Sequence, residues 1–234
     1  MALFAIGLTL LCYELAELVY RWSGQHAFFN SLLWSVALVV VVLLLTGIRY
    51  EDYFAGTQIM HFLLGPATVA LAVPLYEQRE RIRKAWLPLM AATMAGAFTS
   101  IGITVGLLKL AGISYAIIAS SAPKSITTPV AMALAEQVGG VSSLTVGFVL
   151  ITGITGSATA PAFLRLASRL FGKRSEAAQG FALGMCAHGA GAARAFQDGN
   201  EPGAFAGLAI GLHALVTVIL VPIVMKHVGA GGGS

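Results

Sequence analysis

The chain has 234 residues, of which 57% are hydrophobic and only 10% are charged, and its formal net charge is +4 at pH 7. Soluble domains carry about 25% charged residues, so this composition excludes an ordinary soluble domain and indicates a membrane protein. Basic residues cluster in short loops without interleaved aromatic residues, which argues against a nucleic-acid partner and suits the orientation of membrane helices in a lipid bilayer.

Long apolar runs predict the helices, because roughly 20 apolar residues cross a bilayer. In chain order we expect helices over 2–20, 29–48, 60–76, 86–110, 141–163 and 203–226. The first has no basic start and carries Glu14 and Glu17 on one face. We therefore expect a retained helix rather than a cleaved signal peptide, with that face toward a partner protein or a dimer interface. The tail 229–234 resembles a flexible linker, which leaves 1–228 as a single transmembrane domain.

Two further segments, 113–138 and 177–200, are rich in glycine, alanine and hydroxyl residues, and each is broken near its middle. Two basic clusters should both be cytoplasmic: Arg79, Arg81, Arg83, Lys84 and Arg165, Arg169, Lys173, Arg174. Three full crossings between the clusters would separate them, whereas a re-entrant 113–138 keeps both inside. We predict an all-α polytopic membrane protein with about six transmembrane helices plus two broken or re-entrant helical segments, one entering from each side. An eight-crossing fold is the alternative.

The first broken segment contains SSAPKSITTP over 120–129, which puts a cation, five hydroxyls and two prolines into an apolar run. Proline removes a backbone donor and disfavours helix at the preceding residue. Broken backbone at membrane depth needs cover from protein or from a water-filled cavity. An ammonium among hydroxyls suits a small hydroxy-carboxylate. The predicted substrate-binding residues are Ser121, Pro123, Lys124, Ser125, Thr127, Thr128 and Pro129.

Two other roles are open to Lys124. Its ammonium could snorkel to a membrane interface or pair with Glu136. A serine–lysine pair with Ser121 would be a catalytic type, but two prolines and three further hydroxyls suit binding better than a single nucleophile. The sequence has no metal-spaced ligand cluster, nucleophile elbow or phosphate loop, so we expect no enzyme, cofactor or metal site.

The second broken segment contains GMCAHGAGAAR over 184–194, and its glycines weaken the helix and permit close backbone approach. Here His188, Gly189 and Arg194 are candidate substrate-binding residues. Arg194 could bind a carboxylate with two parallel hydrogen bonds or pair with an acidic neighbour, Asp198 or Glu201. His188 could donate to substrate or carry a proton, or be a structural histidine.

The remaining polar candidates are weaker. His213, alone on an apolar helix, is expected to be structural or to pair two helices. Cys12 and Cys186 are expected to be free thiols. The residues expected to support the binding residues or to gate access to them are Asn30, Tyr53, Tyr76, Glu77 and Glu201. The tyrosines could instead be interface anchors.

Several motifs together resemble one known family. They are APKSITTPVAM over 122–132, PLYEQ over 74–78, LTGI with Tyr50 and Tyr53, AHGAGAAR over 187–194 and EPGAF over 201–205. Their order and their extent from about residue 30 to 222 are similar to the LrgB family. Ser31 departs from a frequent Asn-Pro pair of the family, and Pro202 interrupts a usual Glu-Gly-Ala-Phe.

The resemblance implies a multi-pass protein of the bacterial cytoplasmic membrane and two functions. Bacterial members are named antiholin-like proteins, linked with an LrgA-like partner to murein hydrolase export and autolysis. The related plastidal translocator carries glycolate and glycerate, and bacterial members have been tied to pyruvate. We expect a carrier of such small monocarboxylates, coupled to a proton or sodium ion or uncoupled, with the antiholin-like regulator as the alternative. We also expect a homo-oligomer, and the resemblance leaves open a requirement for an LrgA-like membrane partner.

Overall fold

The computed structural model describes residues 1–23, 29, 31–60, 62–63, 72–172 and 175–230, which form helices, turns and loops and no strand. The helices are α1 (Ala2–Trp22), α2 (Ser31–Thr46), α3 (Tyr50–Gly56), α4 (Ala72–Glu77), α5 (Arg79–Lys84), α6 (Trp86–Leu110), α7 (Tyr115–Ser121), α8 (Thr128–Gln137), α9 (Ser142–Phe171), α10 (Glu176–Asp198) and α11 (Asn200–Ala230). Helical turns also occur at 58–60 and 62–63. The chain divides into two compact units, Met1–Val73 and Pro74–Ser234. The prediction of one domain over 1–228 stays a prediction.

The all-helical prediction is confirmed for the described residues. Among these, α1, α6, α9 and α11 are long and apolar enough to cross a membrane, and α2 is a shorter apolar helix of 16 residues. The protein is therefore a multi-pass membrane protein. The helix predicted over 60–76 falls largely outside the described residues, so the number of six spans stays a prediction.

Two predicted helix ends differ from the observed ones. The helix predicted to stop at residue 163 continues through Pro161 to Phe171, because hydropathy marks the membrane-crossing part of a helix rather than its end. At the C-terminus α11 extends through Gly229 and Ala230, into the range expected for the flexible tail. The ring of Tyr115 lies 3.4 Å from the position of a Cβ on Gly229, so tertiary contact offsets the low helix propensity of glycine. Residues 231–234 lie outside the description.

The first unit is built on α1, which contacts both α2 and α3. Gly56 of α3 approaches Ala5 of α1 closely, and the hydroxyls of Thr9 and Tyr53 are hydrogen-bonded at 2.8 Å. Cys12 is buried in α1, and both it and Cys186 are free thiols, as predicted.

Within the second unit, the first broken segment doubles back on itself. Its two arms are α7 and α8, separated by the non-helical residues 122–127. The ring of Tyr115, where α7 begins, lies 3.5 Å from the Cβ position of Gly139, which follows α8. The backbone N–H of Val141 donates to Oγ of Ser120 at 2.7 Å. The Tyr115 contacts bring both ends of the segment to the C-terminal end of α11, where the ring also lies against Gly229. The hydrogen bond of Ser120 packs the last turn of α7 against the start of α9.

The second broken segment also doubles back, within α10. A Cβ on Gly191 would overlap the carbonyl oxygen of Leu183, across the break. The two arms both end beside the first turn of α11, because Gly180 lies against Pro202 and the ring of Phe196 lies against Gly203. The turning point is His188, whose φ of 39° and ψ of −121° are not helical.

The two broken segments therefore approach from opposite ends of α11. One has its base near Gly229 and the other has its base near Pro202. An α-helix rises 1.5 Å per residue, so these two positions are separated by roughly 40 Å. The tips of both segments lie between them, and side chains from α7, α8, α9 and α11 form one apolar core there.

Candidate functional site

Lys124 lies at the tip of the first broken segment and is half-buried. Its ammonium donates to Oγ1 of Thr104 on α6 at 2.5 Å. It forms no ion pair with any of the described residues, so the alternative of pairing with Glu136 is not seen. Glu136 instead accepts a hydrogen bond from the hydroxyl of Ser142. A cation partly removed from water with only a neutral partner favours an anionic ligand.

The predicted hydroxyls around Lys124 have different surroundings. Ser125 is buried and hydrogen-bonded to Ser100 of α6 at 2.6 Å. Ser121 donates to the carbonyl oxygen of its own helix at Ile118. Thr127 and Thr128 are half-buried at the start of α8. The structure therefore brings these hydroxyl residues to the tip, but it directs at least Ser121 to the backbone.

The two prolines bound the tip, since Pro123 follows the end of α7 and Pro129 lies in the first turn of α8. Pro123 is fully buried, whereas Pro129 is exposed at the start of α8, where its missing N–H removes no helical hydrogen bond. Ser120, near the end of α7, packs against the start of α9, since its carbonyl oxygen accepts from Oγ1 of Thr145 at 3.0 Å.

His188 occupies the tip of the second broken segment and is 9% exposed. Its ring lies against α9, where Cε1 is 2.7 Å from the position of a Cβ on Gly153, and it faces the backbone carbonyl of Val149. Its Nε2 is buried and has no hydrogen-bond partner among the described residues. Gly189, the next residue, is exposed and has no atom near its Cβ position.

A third basic side chain, His213 of α11, lies within electrostatic range of both His188 and Lys124. Sequence reasoning assigned His213 a structural role. It also missed Thr217, one turn later on the same face, and the two α6 partners Thr104 and Ser100. For His213 and Thr217, the usable signal in the sequence is a histidine and a threonine four residues apart in an otherwise apolar helix. The α6 partners depend on tertiary contacts that no local pattern reveals.

Arg194 does not reach this cluster through any described contact. It donates to Gln197 at 3.3 Å and to Asp198 at 3.4 Å, so one of the two predicted roles, an ion pair with an acidic neighbour, is observed. It lines a cavity of about 560 Å³ together with Arg165, Arg169, Glu176, Asp198 and Leu183. This cavity lies where α9 ends and α10 and α11 begin.

The residues predicted to support the binding residues or to gate access are dispersed. Glu201 forms an ion pair with Arg81, which joins the start of α11 to α5. Tyr76 is exposed and stacks under the guanidinium of Arg79, 4.5 Å from the ring centre. Glu77 is exposed, Tyr53 belongs to the first unit, and Asn30 lies outside the described residues.

Metal binding finds no support in the part of the chain that is described, because no group of three or more His, Cys, Asp or Glu residues comes together there. What the tips offer are nitrogen donors and hydroxyls. Such a set can bind an oxyanion and the neutral oxygens beside it.

Comparison with known proteins gives the family. Residues 9–227 match the sequence model of the LrgB-like family. Similar curated proteins, each named "Antiholin-like protein LrgB", come from Bacillus subtilis (strain 168), at 30% identity, and from Bacillus mycoides (strain KBAB4) and Bacillus cereus (strain B4264), both at 29%. Each alignment spans 226 residues, 97% of this chain and 96% of the relative. No solved structure matches the chain. With nearly its whole length matched, the chain belongs to the LrgB-like family.

Proposed function

We propose that the protein carries small monocarboxylates such as glycolate, glycerate or pyruvate across the bacterial cytoplasmic membrane. The observation that carries this proposal is Lys124, a half-buried cation without a carboxylate partner among the described residues, at the tip of a broken segment. An ordinary structural lysine in an apolar protein would be paired or would reach the interface. A carboxylate substrate would supply the missing charge.

In this proposal both broken segments are re-entrant and their tips meet near the bilayer midplane. Support comes from the contacts that join the two ends of each segment, beside Gly229 for one and beside Pro202 for the other. Broken helices that meet at the midplane are a common way for transporters to hold a polar substrate, and movement of such segments alternates access.

The basic end of the second unit would face the cytoplasm. The ion pair between Arg81 and Glu201 brings one basic cluster to the start of α11. Arg165 and Arg169 of the other cluster line the cavity at that same end, together with Pro202. The positive-inside rule then orients this end, and the cavity becomes the cytoplasmic entrance for an anion. A proton or a sodium ion remains the candidate coupling ion.

A second function, antiholin-like regulation of murein hydrolase export and autolysis, is favoured by the printed names of the relatives. Those names support this function more directly than they support carriage. It would require an LrgA-like membrane partner, and the broken segments would then respond to that partner. In either case we propose a homodimer or larger assembly, because few long helices are available for a fixed scaffold around moving segments.

The test is counterflow of radiolabelled glycolate, glycerate and pyruvate into proteoliposomes that contain the purified protein. We expect concentrative exchange of at least one of these acids, with no leakage of an entrapped dye. Failure to exchange any of them, together with dye leakage when an LrgA-like protein is co-reconstituted, would overturn carriage and support the regulator.

A further inference from the structure

Two residues of α11 bury polar atoms that have no hydrogen-bond partner among the described residues. His213 is 2% exposed and Thr217 is 1% exposed. Both ring nitrogens of His213 and the hydroxyl of Thr217 lack a partner. Because they are four residues apart on one helix, they share a face. A buried polar atom without a partner is costly, so these positions point to a ligand.

The hydroxyl of Thr217 departs from the pattern of other threonines in this chain. Threonine hydroxyls in apolar helices usually donate to the carbonyl oxygen four residues earlier. Thr93 does so with Leu89 at 2.8 Å, and Thr152 does so with Phe148 at 2.7 Å. Thr217 makes no such bond. Its hydroxyl is therefore free to bind something other than its own helix.

The pair on α11 lies at the meeting point of the two tips. His213 is within electrostatic range of His188 and Lys124, and Nε2 of His188 is also buried with no partner in the described part of the chain. Val216 and Leu220, which flank Thr217, belong to the same apolar core as Ile126 of the first tip. The same core includes Val149 of α9, whose backbone carbonyl faces His188, so the buried polar groups border one apolar core inside the second unit.

The charges at this location select the chemistry of the ligand. All acidic residues of 74–234 lie near helix ends: Glu77, Glu80, Glu136, Glu176, Asp198 and Glu201. Among the described residues of the second unit, no carboxylate therefore lies at the tips, which disfavours a cation. Imidazole and hydroxyl groups can both donate to and accept from a neutral oxygen, whereas the ammonium of Lys124 suits a carboxylate.

We propose that His213 and Thr217 bind the oxygen on carbon 2 of the substrate, while Lys124 binds its carboxylate. This inference rests on the proposed function and narrows it to 2-hydroxy and 2-keto monocarboxylates. Simple acids such as acetate and propionate lack that oxygen and leave the buried donors unpaired. Sites built to bind a substrate hydroxyl discriminate strongly against analogues that lack it.

The experiment measures binding of radiolabelled glycolate, pyruvate and acetate to the purified protein in nanodiscs. The parent should bind glycolate and pyruvate more tightly than acetate. Thr217→Val keeps the shape and removes the hydroxyl, so glycolate affinity should fall roughly 3- to 10-fold while acetate affinity stays unchanged. Thr217→Ser should restore discrimination, and His213→Phe should lose more of it than Thr217→Val.

Thr93→Val is the matched control, since Thr93 is equally buried and its hydroxyl is already bonded to Leu89. It should keep the parent ratio of glycolate to acetate affinity. If Thr217→Val also keeps that ratio, the inference is wrong even though carboxylates bind. If the parent binds none of the three acids, the proposed function itself fails.

Discussion

At the scale of single residues, the backbone of His188 is the most unusual feature of the described chain. Among these residues it alone has a positive φ without being a glycine. Such a conformation costs about 1–3 kcal/mol and persists only where the surroundings enforce it, commonly at functional sites. Here it turns α10 back and presents the imidazole to α9.

Replacing His188 by glycine and by alanine separates backbone strain from side-chain function. Both variants lose the imidazole, so both should lose most counterflow. In an ordinary helix glycine is less stable than alanine, but at this φ we expect His188→Gly to be the more stable variant by about 1 kcal/mol. Thermal unfolding in detergent measures the order. A higher melting temperature for His188→Ala would show that the strained turn is absent from the folded protein.

The sequence identified some of the residues at the tips and missed others for a physical reason. Lys124 and His188 stand out because a charge or a broken helix within an apolar run raises the free energy of the folded protein at any depth in the membrane. His213 and Thr217 do not stand out in the sequence. A threonine hydroxyl in a helix usually bonds to a carbonyl oxygen of that helix, and a buried histidine usually finds a partner. Only the three-dimensional arrangement shows that neither side chain has a hydrogen-bond partner among the residues that the structure describes.

At the scale of elements, α9 provides the surface on which the second tip rests. Gly153 makes room for the imidazole of His188, and a Cβ on Gly156 would lie 2.8 Å from the carbonyl oxygen of Cys186. Small residues that permit such close approach are typical of helix contacts in membranes. The position of the tip therefore depends on glycines of a neighbouring helix rather than on α10 alone.

Adding one methyl group to this surface tests that dependence. Gly153→Ala places a Cβ 2.7 Å from the His188 ring, so the imidazole must move, and we expect counterflow to fall at least tenfold. Gly147→Ala on the same helix is the control, because nothing lies within 4 Å of its Cβ position. That control should transport normally and gain up to about 1 kcal/mol in stability from helix propensity. Equal counterflow by the two variants would show that Gly153 is not needed to position His188 for transport.

Both breaks were predictable from local sequence, whereas the ends of α9 and α11 and the shape of the segments were not. Prolines mark the first break, and a glycine-rich run around His188 marks the second. The extension of α9 beyond 163 uses polar residues such as Arg165, which follow the apolar run that defined the prediction. The return of each segment to its own starting end depends on contacts such as Tyr115 with Gly139, between residues 24 positions apart.

At the scale of the whole molecule, the distribution of basic residues predicted an arrangement that local patterns could not, with both basic clusters on the same side of the membrane. Two basic clusters on one side require an even number of crossings between them. The contacts of Arg81 with Glu201 and of Arg165 with the cavity near Pro202 agree with that parity. The total number of spans is less accessible, because the part of the chain around 60–76 combines apolar and polar residues with two prolines.

The proposed carriage of monocarboxylates depends on Lys124 as the group that binds the substrate carboxylate. Counterflow by the parent, Lys124→Ala and Lys109→Ala in proteoliposomes tests it most directly, since Lys109 is exposed in the last turn of α6. Loss of one partner of a buried charge pair costs about 3–5 kcal/mol, which corresponds to more than a hundredfold in affinity. We predict that Lys124→Ala folds, by elution profile and melting, but loses counterflow, while Lys109→Ala transports like the parent. A folded Lys124→Ala protein that transports like the parent would contradict the account.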